Sequence, residues 1–266
     1  MPSKIGSMKK ALLSLIPFFV LLTMVPQLRA DFEADSRTVV EVGLLKAYIP
    51  EYGFDDNDNV QVVIEGFLPN ACYTLAQSET ALETGELKIT QKAIRNESGI
   101  CSEEADLPPD LAAQRYFWKV LDIGLMEEGS YSLKYLNMDD GRTERPFYIQ
   151  LSPSNQVDSM NYVYVTNAFA KEMVHVSEEY FEFRITGQLT STCAEMADDY
   201  YLEKSGDVYA LMLYTYRVED YCMPASRPFY KIIRVRTPEK GRYLLHVRSV
   251  GGQSKNKIFE VHDRND

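Results

Sequence analysis

The chain has 266 residues, with 39 acidic against 28 basic side chains and a formal net charge of −11. An acidic surface repels phosphate backbones and anionic lipid heads, which sets nucleic acid aside as a partner. Beyond the first thirty residues, nothing in the sequence is apolar enough to span a bilayer.

At the start of the chain, Lys4, Lys9 and Lys10 precede an apolar run from Ala11 to about Val25, and Leu28-Arg29-Ala30 offers a small residue for cleavage. The run is shorter than the roughly 20 residues of a membrane span, so residues 1–30 read as a secretory signal peptide. Its removal takes away Lys4, Lys9, Lys10 and Arg29 and moves the net charge from −11 to −15. Export, periplasmic or secreted, places the mature chain in an oxidising compartment where an even cysteine count reads as a disulfide framework.

The four cysteines form two pairs of equal spacing, Cys72 with Cys101 and Cys193 with Cys222, and the residues around them repeat. Adding 121 carries Gly66, Leu68 and Cys72 onto Gly187, Leu189 and Cys193. After the second cysteine the offset becomes 112, and Phe117-Trp118-Lys119-Val120-Leu121 meets Phe229-Tyr230-Lys231-Ile232-Ile233. Gly129 and Tyr131 likewise meet Gly241 and Tyr243. A repeat of this length is a domain duplicated in tandem, too long for a solenoid unit. A duplicated domain that folds alone closes its own bridge, so the expected pairs are Cys72–Cys101 and Cys193–Cys222. Each is worth roughly 3 kcal/mol in the loop-entropy picture.

Short period-two blocks bounded by Gly, Pro, Asp and Asn predict an all-β fold of two tandem β-sandwich domains. Strands are expected at 38–49, 60–66, 87–95, 116–123, 130–137 and 145–151. The second set falls at 161–169, 181–187, 208–218, 229–236, 242–247 and 257–261. The domains are then 31–151 and 158–266, joined by a linker at 152–157 short enough to imply a fixed contact between them. The run Gly66-Phe67-Leu68-Pro69-Asn70-Ala71-Cys72-Tyr73, with Cys101 and Gly129-Ser130-Tyr131, resembles the immunoglobulin-like modules of exported bacterial proteins. That resemblance implies architecture and no activity. It departs from antibody-type domains in that Trp118 follows both cysteines instead of lying between them.

Signals for catalysis are sparse. His175, His246 and His262 sit in no metalloprotease spacing, and no Gly-x-Ser-x-Gly elbow occurs. The carboxylate pairs Glu103-Glu104, Glu178-Glu179 and Asp198-Asp199 are available to a hydrolase, but adjacent acids on loops are ordinarily solvated. Asp55-Asp56-Asn57-Asp58-Asn59 resembles a cadherin calcium string, yet it lacks that family's other motifs and the glycine and glutamate of an EF-hand loop. It reads as a polar turn, and no metal or cofactor is expected.

A sharper signal comes from setting the two copies side by side at an offset of 121. Lys88, Thr90 and Lys92 on the wet face of the first copy fall on Tyr209, Leu211 and Leu213 of the second, while Val208, Ala210 and Met212 are read as its core face. Tyr200, Tyr201, Tyr216 and Tyr221 crowd the same region. Three coverings compete for this face: the first domain, a partner, or additional core. The expected function is a non-enzymatic binding protein of the cell envelope that contacts a protein or polysaccharide through this aromatic face. A hydrolase and a structural spacer are the rivals.

Intact-mass analysis of the exported protein is expected to show a chain beginning at or near Asp31. A mature chain that still carries Met1 contradicts the signal assignment.

Overall fold

The period-two alternation is realised as seventeen strands and one short helix in a computed structural model, which describes residues 37–51, 53–97, 99–101, 107–139, 141–152, 161–219 and 221–263. The class is all-β, as expected. The expected signal peptide at 1–30 and all of the expected linker after Ser152 lie outside the described residues.

The first half runs β1 (Arg37–Glu41), β2 (Leu44–Tyr48), β3 (Phe54–Asp55), β4 (Val60–Leu68), β5 (Tyr73–Glu83), β6 (Glu86–Asn96), α1 (Pro109–Ala112), β7 (Arg115–Gly124), β8 (Gly129–Leu136) and β9 (Arg142–Gln150). The second runs β10 (Tyr164–Ala170), β11 (Met173–His175), β12 (Tyr180–Ser191), β13 (Ala194–Ser205), β14 (Val208–Arg217), β15 (Pro224–Arg236), β16 (Gly241–Arg248) and β17 (Ser254–His262).

Duplication is visible in the pairing. Strands β2, β4 and β7 form one antiparallel sheet, and β10, β12 and β15 form its counterpart. The order β3-β9-β8-β6-β5, with β1 beside the far end of β6, is matched by β11-β17-β16-β14-β13. Both larger sheets are mixed, because β6 runs parallel to β8 and β14 parallel to β16. Immunoglobulin sandwiches are built from antiparallel sheets, so these parallel pairs set the present sheets apart from that pattern. Within each half the two sheets enclose a core of their own. Val62, Ile64 and Phe117 face Leu87, Ile89 and Leu133 in the first, and Phe183, Ile185 and Ile233 face Leu211, Leu245 and Phe259 in the second.

Matching details recur down to single side chains. A Cβ at Gly66 would meet the Phe117 ring at 2.9 Å, and one at Gly187 would meet the Phe229 ring at 2.5 Å, so both positions admit only glycine against the neighbouring ring. Tyr131 and Tyr243 each donate a hydroxyl hydrogen bond of 2.8 Å to a backbone carbonyl four residues earlier, and each stacks on a phenylalanine, Phe147 or Phe259. Both expected bridges are formed, with Cα separations of 5.6 and 5.3 Å.

Strands β5 and β13 were not expected. Each is an edge strand whose residues are mostly exposed, so no apolar face marks it in the sequence. Each instead hydrogen-bonds to the next strand across a two-residue turn and carries a bulge.

Those bulges correct the offset. Residues 76 and 77 stand opposite Lys92 in the first hairpin, whereas 197, 198 and 199 stand opposite Tyr214 in the second. One additional residue shifts the hairpin, and Leu87, paired with Leu133, has its true counterpart in Tyr209, paired with Leu245. A compensating deletion follows: six positions separate Arg95 from Cys101, and five separate Arg217 from Cys222. Equal cysteine spacing conceals both changes. Because side chains alternate with period two, a slip of one exchanges the faces. Tyr209, Leu211 and Leu213, for which the first domain, a partner and additional core competed, are therefore the centre of the core, with exposures of 4%, 0% and 1%, in place of Val208, Ala210 and Met212.

The face that differs between the copies is the opposite one. Glu86, Lys88, Thr90 and Lys92 lie outward on β6, and their counterparts on β14 are Val208, Ala210, Met212 and Tyr214. Val208 is buried against Tyr48, Val63 and Leu244, so the first half covers it. Three strands show this double burial: β4, β14 and β16 have long runs buried on both faces, while their duplicates β12, β6 and β8 alternate. The outer face of β2-β4-β7 thus packs on the outer face of β14-β16-β17, with Val120 and Ile258 at its margin.

Truncation of Leu211 to alanine is expected to cost about 2–5 kcal/mol of unfolding free energy, measured by urea denaturation. Wild-type stability in this variant contradicts the corrected register.

Candidate functional site

The seam between the halves is held by buried charge. Glu65 projects outward from β4, is wholly buried, and accepts a bidentate pair of hydrogen bonds from Arg242 at 3.0 and 2.6 Å. The Tyr48 and Tyr116 hydroxyls donate to the same carboxylate at 2.5 and 2.6 Å. Burial alone would raise its pKa, but the hydrogen bonds from Arg242, Tyr116 and Tyr48 outweigh burial and hold the group below the usual carboxylate range. Arg242 also donates to Glu260 at 2.8 Å.

Two further ion clusters flank this one. Asp207, in the turn between β13 and β14, receives Lys46 at 2.8 Å and Arg145 at 2.7 Å from the first half. Burial opposes its ionisation, and the two cations overcome it, so its pKa too is lowered. Arg248 of β16 pairs with Asp58 at 2.7 Å and lies over the Phe54 ring at 5.0 Å. The string 55–59 is therefore an interface turn: Asp58 caps the backbone N–H of Asp55 at 2.8 Å, and Asn59 donates to the Gly252 carbonyl at 3.2 Å. No group of three or more metal-ligating side chains occurs among the described residues.

The three histidines are dispersed. His246 is buried in the seam, its Nδ1 2.8 Å from Asn256 Oδ1 and its ring edge-on to Phe54. Burial, reinforced by Arg248, pushes its pKa down to about 4. His175 ends β11, where its backbone N–H donates to Glu178, and His262 Nε2 lies 3.5 Å from Glu260. Of the candidate carboxylate pairs, Glu178 is bound by Lys171 at 2.7 Å, Asp198 and Asp199 lie in the bulge of β13, and residues 103 and 104 lie outside the described residues.

Nor do the candidate tyrosines share one surface. Tyr200 pairs with Leu213 and Tyr201 with Met212, which places them on opposite faces of the edge strand. Tyr201 donates to Glu203 at 3.0 Å and borders a cleft of about 260 Å³ with Tyr162, Tyr214, Asp58 and Arg248. Tyr216 lines a different depression beside the Cys193–Cys222 bridge, and Tyr221 is exposed nearby.

Two further surfaces emerge. One is a groove of about 350 Å³ at the margin of the seam, lined by Tyr116 and Trp118 of β7, by Arg242, Lys257 and Glu260, and by Glu172. The other is the outer face of β10-β12-β15, the duplicate of the face that the first half buries. Phe169, Tyr230 and Ile232 stand there in the places of Tyr48, Trp118 and Val120. They are exposed together with Tyr164 and Tyr180. The signal for this second surface was present: Phe229-Tyr230-Lys231-Ile232-Ile233 carries large apolar groups on both faces of one strand.

His246 makes stability acid-sensitive. The folded chain keeps the imidazole neutral to about pH 4, whereas the unfolded chain takes up a proton below 6.5. Stability is full above that value and falls as pH drops from 6.5 toward 4, by about 3 kcal/mol in all. Urea midpoints across this window are expected to flatten in His246→Gln. An unchanged slope refutes the assignment. Comparison with protein-family models, with curated proteins and with solved structures returned no match.

Proposed function

We propose that this is an exported protein that acts by binding, not by catalysis, and that it docks a protein partner through the open face of β10-β12-β15. Two disulfides support an oxidising compartment. The basic start and short apolar run at 1–30 support export, either to the periplasm or outside the cell.

One observation carries the reading: the face that is covered in the first half has an uncovered duplicate in the second, and that duplicate has kept its large side chains. Phe169, Tyr180, Tyr230 and Ile232 are between 42% and 55% exposed. Aromatic and arginine side chains are the types enriched in protein interfaces and in their energetic centres. Both are present, since Arg184, Arg234 and Arg236 also point outward and the Arg234 guanidinium lies 4.7 Å above the Tyr180 ring. Three arginines against Glu182 make the face locally basic on an acidic chain, which favours a partner surface bearing carboxylates. The face spans three hydrogen-bonded strands, an extent suited to another protein, with a depression of about 490 Å³ among Phe169, Tyr180, Arg184 and Arg234. Of the two partner classes expected from the sequence, protein and envelope polysaccharide, this face suits protein.

A double substitution, Tyr230→Ser with Ile232→Ser, alters only outward positions and is expected to leave thermal unfolding within about 0.5 kcal/mol of wild type. Immobilised mature protein is expected to retain a specific partner from extracytoplasmic extract, and the double variant to lose it. Equal retention by both proteins refutes the face as the contact.

A further inference from the structure

The groove at the seam margin is separate from the open sheet face and has a chemistry of its own. Tyr116 and Trp118 occupy alternate positions on β7, so their side chains lie on one face of the strand. Both remain nearly half exposed, at 44% and 48%, although the seam that would bury them begins beside them. Trp118 is paired directly opposite Glu65, and the Tyr116 hydroxyl is fixed on the Glu65 carboxylate. The wall facing them comes from the second half. Arg242 is clamped between Glu65 and Glu260, and Lys257 is paired with Glu172 at 2.8 Å.

We propose that this groove binds an uncharged oligosaccharide. A pyranose ring has an apolar C–H face and a rim of hydroxyls, and the groove offers the complement of each. The exposed indole and phenol present flat apolar surfaces with polar tips. Around them, Glu172 and Glu260 supply acceptors, and Arg242 and Lys257 supply donors.

Charge selects against acidic ligands. Glu172 and Glu260 match Arg242 and Lys257 in the lining beside His262, and each of the two cations is already engaged by a carboxylate. A phosphate or uronate would have to compete with those carboxylates for the cations. Hydroxyl groups, which both donate and accept, can join the existing pairs without displacing them.

Size and rigidity agree with this class. A volume of about 350 Å³ lies at the low end of the roughly 300–1,000 Å³ typical of ligand pockets, and it suits a short segment of a glycan chain. The bidentate Arg242–Glu65 pair and the Tyr116 hydrogen bond fix the floor before any ligand arrives, which removes ordering costs from binding. Because both halves contribute walls, the site exists only in the docked arrangement.

Trp118 is the only tryptophan in the chain beside 18 tyrosines, so tryptophan emission, excited selectively over tyrosine, reports on this groove. Mature protein is to be titrated with cellohexaose, chitohexaose, maltohexaose and laminarihexaose, and with oligogalacturonate as the anionic control. At least one neutral hexasaccharide is expected to produce a saturable emission change below a concentration on the order of 10 mM, with no response to oligogalacturonate. Calorimetry with the same sugar is expected to show affinity weakened about tenfold or more in Trp118→Ala, while Tyr230→Ser with Ile232→Ser binds it as wild type does. Lys257→Met, which removes a donor at the rim and leaves Glu65–Arg242 intact, is expected to weaken binding with an unchanged unfolding midpoint. The proposal is overturned if no neutral sugar gives a saturable change, if only the anionic sugar binds, or if calorimetric affinity survives the loss of Trp118.

Discussion

A single carboxylate organises this molecule. Glu65 is wholly buried in the seam, and an unpaired charge there would cost several kcal/mol. Arg242, from the other half, satisfies both of its oxygens at once, and Tyr48 and Tyr116 use its remaining acceptor capacity. Apolar contacts such as Tyr48, Val63, Val208 and Leu244 are non-directional and would tolerate a slide of one sheet over the other. A bidentate pair does not, because its geometry is fixed at both ends. Lys46 and Arg145 on Asp207, and Arg248 on Asp58, act in the same sense at either side. The apolar seam provides the driving force, and the buried pairs set the register in which the halves meet.

This contact is asymmetric although the halves are copies. The three-stranded sheet of one half meets the five-stranded sheet of the other, so each half uses a different surface. An arrangement of that kind does not close on itself and would continue into a chain of modules if its end faces were both adhesive. One of them is not. Where β14 carries Val208, Ala210 and Met212, β6 carries Glu86, Lys88 and Thr90, and Lys134 pairs with Glu86 across the same surface. The charged end remains in water. The other end, β10-β12-β15, keeps large aromatic groups in the positions that its duplicate uses in the seam, and the docking proposal rests on that.

Functional character then follows from where the duplication diverged. Residues within each sandwich are preserved in kind: glycine under a ring at 66 and 187, tyrosine over phenylalanine at 131 and 243. Residues on the outward faces are not. Glu65 has Thr186 in its place, and Val63 has Arg184. The groove at Trp118 arises at the boundary of these two regimes, where an outward aromatic pair of the first half is only partly roofed by the second.

Much of this was readable from residue order. Duplication, the all-β class and both cysteine pairs follow from spacing and alternation, which are properties of the chain itself, and the Gly66–Cys72 and Gly187–Cys193 matches needed no coordinates. The outward face of β14 was not readable, because a residue gained in the bulge at 197–199 and one lost before Cys222 cancel in the cysteine count, and period-two alternation turns a slip of one into the opposite face. Val208, Ala210 and Met212 were read as the core face for that reason, where Tyr209, Leu211 and Leu213 form it. Strands β5 and β13 were invisible because an edge strand is defined by its hydrogen-bonded neighbour, not by an apolar face. Glu65 and Arg242 lie 177 positions apart, and no local pattern announces that two such charges will share one buried site. Sequence by itself determined what each half is; only the tertiary structure decided which faces the halves hide from water, because burial between sheets depends on the partner surface and not on the strand that carries the side chain.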